Sequence, residues 1–300
     1  MTIPVDLPAV PFTLAQASEF GYSRTELDKL VRQRAVRRVL RNVYVRTDVP
    51  DTIEVRAFAA SLVHPFGIIS DRFAAWMHGV DVFDYRELEI LPDVETVVLR
   101  RGSRIRRSGC KGGRRDLAPG DVMVINGMQV LTPLRTAMDL GCSLNRRNAL
   151  AALDAFMRLY GITREQMEAE LPRYFRRRGV VQLRELIPLA DPRAESQAES
   201  WTRLEIVDAG LPKPEPQYWV VHRGRKLFRL DLAYPKSKVC VEYDGEEFHS
   251  DEVARQRDRA RRKWLRDHGW TVIVVDKDSF TGDALFAWLQ ELREALRLAA

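Results

Sequence analysis

FRLDLAYPKSKVCVEYDG, residues 228–245, decides the fold of the C-terminal part of this chain. Phe228, Leu230 and Leu232 alternate with Arg229 and Asp231, and in VCVEYDG the same period of two puts Glu242 and Asp244 on one face. A turn over Pro235–Lys238 predicts two antiparallel neighbours whose acids, Asp231 and Glu242, converge at one end. Carboxylates held that close repel. A divalent cation with a preference for oxygen, Mg²⁺ or Mn²⁺, relieves the repulsion, acidifies a bound water and polarises a phosphate. Asp231 and Glu242 are therefore the candidate metal ligands. The plainer reading beside it is the solvent face of a half-buried sheet.

Outward from this stretch the pattern is a helix (195–209), a hairpin (218–233), a strand (238–243), a basic helix (251–268), a strand (270–275) and a closing helix. The order is that of a mixed sheet flanked by helices. On the basic helix, Val253, Ala260 and Trp264 are spaced for burial, and Arg259, Arg262 and Lys263 are candidate phosphate contacts. Polar residues around Pro192 predict a boundary there. Before it, Leu150, Leu153, Phe156 and Met157 make one apolar helical face, which predicts a helical connector over 146–191.

Residues 51–145 predict a small mixed α/β domain: a helix opening at Ser70, a strand region over 87–102, and a hairpin turning at Asn126-Gly127. Residues 100–115 carry Arg100, Arg101, Arg104, Arg106, Arg107, Lys111, Arg114 and Arg115 among glycines and no acid. That composition fits a flexible phosphate-gripping loop and a plain exposed loop equally. In residues 1–50, a helix over 12–20 is followed by a second that Ser23 and Glu26 open as a capping box, and then by an arginine-rich hairpin around Arg41-Asn42. Helix, turn, helix and wing make a winged helix-turn-helix. Its second helix would present Arg24, Thr25 and Lys29 to a major groove, with Arg37, Arg38 and Arg41 near phosphates; a protein-binding winged helix is the alternative.

Two resemblances follow from these phrases. ESWTRLEIVDAGL, RLDLAYP, VCVEYDGEEFH and DRARRKWLRDHGW resemble, in order and spacing, the Vsr-related branch of the PD-(D/E)XK, restriction-endonuclease-like nucleases. That resemblance implies catalytic roles for Glu199, Asp231, Glu242 and His249, with Asp258, Arg261, Leu265 and Gly269 forming the family's helix phrase. The sequence departs from the family at Asp244, which stands where its name expects lysine. GYSRTELDKLVRQRAVRRVLRNVYV resembles the N-terminal domain of AbiEi-type antitoxin regulators, and the likeness extends loosely through residues 69–79 and 131–141.

Together these readings give an α+β and α/β chain: a winged helix-turn-helix (1–50), a small mixed domain (51–145), a helical connector (146–191) and an endonuclease-like domain (192–300). The leading expectation is a protein that binds duplex DNA and carries a Mg²⁺- or Mn²⁺-dependent endonuclease module with Glu199, Asp231, Glu242, Asp244 and His249 at its centre, in repair or defence. The alternative is a non-catalytic transcriptional regulator of the toxin–antitoxin kind. A toxin or repair protein is the expected partner.

Composition bounds the rest. The 300 residues are 45% hydrophobic and 30% charged, enough for packed cores. The net charge of +6 favours polyanions without choosing among them. Cys110, Cys142 and Cys240 lack the spacing of a zinc site, so buried free thiols are expected. No apolar run nears the ~20 residues of a membrane span, and the first residues lack the basic lead of a signal peptide. Those features predict a cytoplasmic protein away from membranes.

Overall fold

The structure is a computed structural model describing residues 6–83, 87, 89–245 and 252–298. The chain divides into two compact units, residues 1–140 and 141–300.

The first unit opens with β1 (Phe12–Thr13), α1 (Leu14–Glu19), α2 (Arg24–Arg32), β2 (Val36–Leu40) and β3 (Val43–Arg46). Ser23 opens α2 as expected: the Glu26 N–H donates to its hydroxyl, and the Glu26 carboxylate accepts from the Ser23 N–H at 2.7 Å. The strands form an antiparallel sheet in the order β1-β3-β2. Leu7, Phe12, Ala17, Leu27, Val36 and Tyr44 close a core against the two helices. Asn42, with φ of 65°, turns the hairpin.

Next come α3 (Ile53–Val63), β4 (Ile68–Ile69), α4 (Asp71–Met77), β5 (Val94–Leu99), β6 (Arg106–Arg107), β7 (Cys110–Arg115), β8 (Val122–Ile125) and β9 (Met128–Leu131). Their sheet runs β6-β7-β5-β4-β9-β8, parallel at β5/β7 and β4/β9 and antiparallel elsewhere. Asn126 and Gly127 take φ of 49° and 77°, as a tight hairpin requires. Leu40 and Val43 share one core with Ile53 and Ala57 of α3, Phe73 and Val130, so residues on both sides of position 50 bury one another.

The basic stretch 100–115 is not a flexible loop. Its second half is the β6–β7 edge, paired in register with β5. Arg115 is committed to Asp71 at 2.6 Å and to Asp139, while Arg135 reaches Asp139 at 3.1 Å and Asp121 at 3.0 Å. These opposed charges are the reason a buried network can form there.

α5 (Pro133–Ser143) runs across the division between the units. The second unit continues with α6 (Arg146–Tyr160), α7 (Arg164–Glu170), α8 (Val180–Leu186), α9 (Gln197–Asp208), β10 (Glu215–His222), β11 (Arg225–Tyr234), β12 (Val239–Tyr243), α10 (Glu252–Asp267), β13 (Thr271–Val275) and α11 (Gly282–Leu298). The sheet order is β10-β11-β12-β13, with β12 and β13 parallel and the other pairs antiparallel. α10 makes the crossover that a parallel pair needs.

Ile206, Leu232, Val241, Ile273, Trp288 and Leu292 fill the layer between the sheet, α9 and α11; Leu230, Cys240, Leu265 and Val272 fill the layer under α10. α6 packs on α9, where Arg203 and Asp154, each 1% exposed, form a buried ion pair. The Asp191 N–H donates to the same Asp154 at 2.7 Å. Residues expected to be a connector are thus tied to α9 by buried polar contacts. All three cysteines are buried free thiols, and no helix among the described residues is long and apolar enough to cross a membrane.

Candidate functional site

β11 and β12 pair Leu232 with Val241, so continuing the register by one residue sets Asp231 opposite Glu242. The Tyr243 N–H donates to Asp231 Oδ2 at 3.0 Å, which locks this end of the pair. Burial pushes the Asp231 carboxyl up to about 7; the charges of Glu199 and Glu242 add to that, and the Tyr243 hydrogen bond and Arg261 oppose it.

Glu242 is 2% exposed and burial also raises its pKa, against the pull of Arg261 and Arg262. Arg261 Nη2 comes within 2.6 Å of Glu242 Oε1. Neither carboxylate oxygen has a directed hydrogen bond among the described residues. At that distance the two form a salt bridge, and Arg261 is the charge that compensates the buried carboxylate.

Glu199, from the first turn of α9, is 7% exposed and turned toward its own helix start. It accepts from Ser196 Oγ at 3.0 Å, from the Glu195 N–H at 3.0 Å and from Gln217 Nε2 at 2.7 Å. Gln217, at a φ of 55° in β10, is a member of this arrangement that sequence reasoning missed; only its place in the strand before Asp231 hinted at it.

Asp244 donates its N–H to the Val275 carbonyl and pairs its carboxylate with Arg262 at 2.7 Å. His249 lies outside the described residues. The structure thus brings Asp231, Glu242 and Glu199 to one corner of the sheet and draws Asp244 to α10. Among the described residues no group of three or more His, Cys, Asp or Glu side chains is placed to hold a metal.

Arg262 does not stand free to grip phosphate as expected; its Nη2 lies between Asp244 and Asp258, 3.6 Å from the latter. The helix face that buries Leu265 carries Arg261 and Arg262 inward with it. Ala260, expected inside, is exposed for the same reason. Arg259 is exposed, and Lys263 is exposed beside Asp267 at 2.9 Å.

In the first unit, Arg24, Thr25 and Lys29 are exposed along α2. Arg38 and Arg41 are exposed on the hairpin, Arg38 lying over the Tyr44 ring and 3.9 Å from Asp28. Arg37 is not available to phosphate: it is tied to Asp51 at 3.3 Å and to the Val49 and Pro50 carbonyls at 3.2 Å. Its bonds anchor the segment that leads into α3.

Residues 67–189 match the family described as the AbiEi antitoxin C-terminal domain. The match takes in the phrases at 69–79 and 131–141 and continues through the stretch expected to be a connector. Because that family is one of antitoxins, the match supports the regulator reading more than the nuclease. Two strains of Mycobacterium tuberculosis carry relatives, "Uncharacterized protein MT2308" and "Uncharacterized protein Rv2248", each 31% identical over 264 residues, covering 85% of this chain and 91% of the relative. On that identity and coverage, this chain belongs to the same family as the two mycobacterial proteins.

Proposed function

We propose that the protein is a DNA-binding regulator of the AbiEi antitoxin kind, whose residues 1–50 act as a winged helix-turn-helix. The observation that carries this reading is the exposure of α2: Thr25 and Lys29 stand opposite the buried Leu27, and Arg24 is exposed at the first position of the helix. A helix held that way presents its first turns to the major groove, and the exposed Arg38 and Arg41 of the following hairpin reach the flanking phosphates. The family match over 67–189 supports the antitoxin assignment and implies a cognate toxin as partner.

Selection of duplexes from a random-sequence pool by the purified protein tests it. A recurring motif, lost from an Arg24→Ala/Lys29→Ala variant, is expected. A pool that never departs from random sinks the regulator reading.

A second reading, a metal-dependent nuclease module in residues 192–300, is favoured by one observation: Asp231 and Glu242 face each other across β11 and β12 beside Glu199. The order of α9, β10, β11, β12, α10 and β13 resembles that of the restriction-endonuclease-like core, which supports this reading. Mg²⁺ needs only one or two carboxylates and otherwise keeps water. Asp231 and Glu242 are two carboxyls set opposite each other with Arg261 as the compensating charge at Glu242, so they fit the ion where it takes the place of Arg261.

Bound there, the cation would supply an activated water and polarise the phosphate. Glu199, held by Ser196 and Gln217, would orient a water, and Arg261 would pass from Glu242 to a phosphate oxygen. Incubation of supercoiled and single-stranded DNA with Mg²⁺, Mn²⁺ or EDTA tests this reading. Cleavage abolished by Asp231→Ala and by Glu242→Ala supports it, and intact DNA under every metal removes it.

A further inference from the structure

The hairpin of β10 and β11 has a feature that neither reading uses. Residues 216–230 contain Arg223, Arg225, Lys226 and Arg229 and no acid, in a segment that also holds Tyr218, Trp219 and Phe228. Tyr218 and Phe228 pack toward the core under α10. Trp219 turns the other way and is 40% exposed, directly across the ladder from Arg229.

Two cations lie over the indole, Lys226 Nζ at 5.2 Å and the Arg229 guanidinium carbon at 5.8 Å from its centroid. The tip, Arg223-Gly224, takes φ of 49° and 76° and holds Arg223 and Arg225 out in solvent. Among the described residues, Arg223, Arg225 and Lys226 make no ion pair with an acid; Arg229 pairs with Glu195 at 2.6 Å.

The exposed part of an indole gains free energy on being covered, and a tip whose Arg223, Arg225 and Lys226 pair with no acid among the described residues repels any basic protein surface. Nucleic acid with unstacked bases meets both conditions: an indole offers a stacking face to any base, and the cations that lie over the ring are within side-chain reach of the phosphates on either side. A closed duplex already stacks its bases on one another and leaves the ring uncovered.

We infer that the β10–β11 hairpin binds an unpaired segment of DNA, with one base stacked on Trp219 and its flanking phosphates held by Arg225, Lys226 and Arg229. This requires neither the α2 face nor chemistry at Asp231 and Glu242.

The test is fluorescence anisotropy of the full-length protein with a labelled oligothymidylate of about 16 nucleotides, an oligouridylate and a duplex of equal length. Trp219→Ala is expected to weaken oligothymidylate binding about tenfold, one stacking interaction, while Trp219→Phe keeps most of it. Arg225→Ala/Lys226→Ala is expected to flatten its salt dependence. Duplex affinity should be unchanged by Trp219→Ala. Should that variant fold poorly, the Phe and double-Ala variants carry the comparison. Three results overturn the inference: wild-type binding by Trp219→Ala, equal losses on single strand and duplex, or oligouridylate bound tenfold or more tightly than oligothymidylate.

Discussion

Arg261 on α10 and Glu242 on β12 stand 2.6 Å apart, and Glu242 has no other cation as close among the described residues. Removing the guanidinium leaves a carboxylate uncompensated in the core. Arg261→Met should cost about 3–5 kcal/mol, because an orphaned buried charge is penalised more than a pair gains. Arg261→Met/Glu242→Gln should recover most of the loss. Urea unfolding midpoints of the two single variants and the double decide it; a loss in Arg261→Met under about 1 kcal/mol would place the pair among ordinary surface contacts.

Asp231 titrates near 7 in the folded protein, against an ordinary value of 3.8. A carboxyl raised in this way stabilises the fold in its protonated form. The contribution is complete below the ordinary value and is lost as pH rises through about 7. The gap between the folded and ordinary values corresponds to about 4 kcal/mol. Asp231→Asn, which keeps an acceptor for the Tyr243 N–H, should therefore melt above wild type at pH ~8 in EDTA and close to it at pH ~4. Parallel melting curves for both proteins across that range would show that Asp231 is ionised at no cost.

Gly179, before α8, sits at φ of 84°, and a Cβ there would lie 1.9 Å from the Cys142 carbonyl oxygen. The backbone conformation alone costs an L-residue ~1–3 kcal/mol, and the clash adds to it. Gly179→Ala should lower the denaturation midpoint or abolish soluble expression, whereas Gly161→Ala, with open space around it, should be milder. Equal midpoints for the two variants would contradict the packing of α8 against the end of α5.

What the sequence disclosed was local. The Ser23–Glu26 capping box, the Asn126-Gly127 turn and the antiparallel pairing that sets Asp231 opposite Glu242 each depend on residues close in sequence, and each is found where its pattern put it; the alternation does not hold throughout, since Leu230 and Leu232 fall in different core layers. What it concealed was long-range. Arg37 reads as a phosphate contact, yet it is spent on Asp51 and two carbonyls, since its neighbour is chosen by where α3 begins. Arg261 and Arg262 read as part of a solvated basic helix, although Asp258, Arg261, Arg262 and Leu265 stand at helical spacing on one face, and burying Leu265 turns the others toward β12. Residues 100–115 look like a loop for want of apolar side chains, but their pairing with β5 is made by backbone groups that composition does not reveal.

The proposed DNA recognition rests most heavily on the α2 face. The direct measurement is an equilibrium titration of a selected duplex with wild type and with Arg24→Ala, Lys29→Ala and Arg37→Ala, repeated over a range of salt. Arg24→Ala and Lys29→Ala are each expected to weaken binding by about 1–3 kcal/mol, while Arg37→Ala, already engaged by Asp51, leaves affinity and salt slope near wild type. Equal affinity in all four proteins, or a loss confined to Arg37→Ala, would contradict the assignment of α2 as the reading helix.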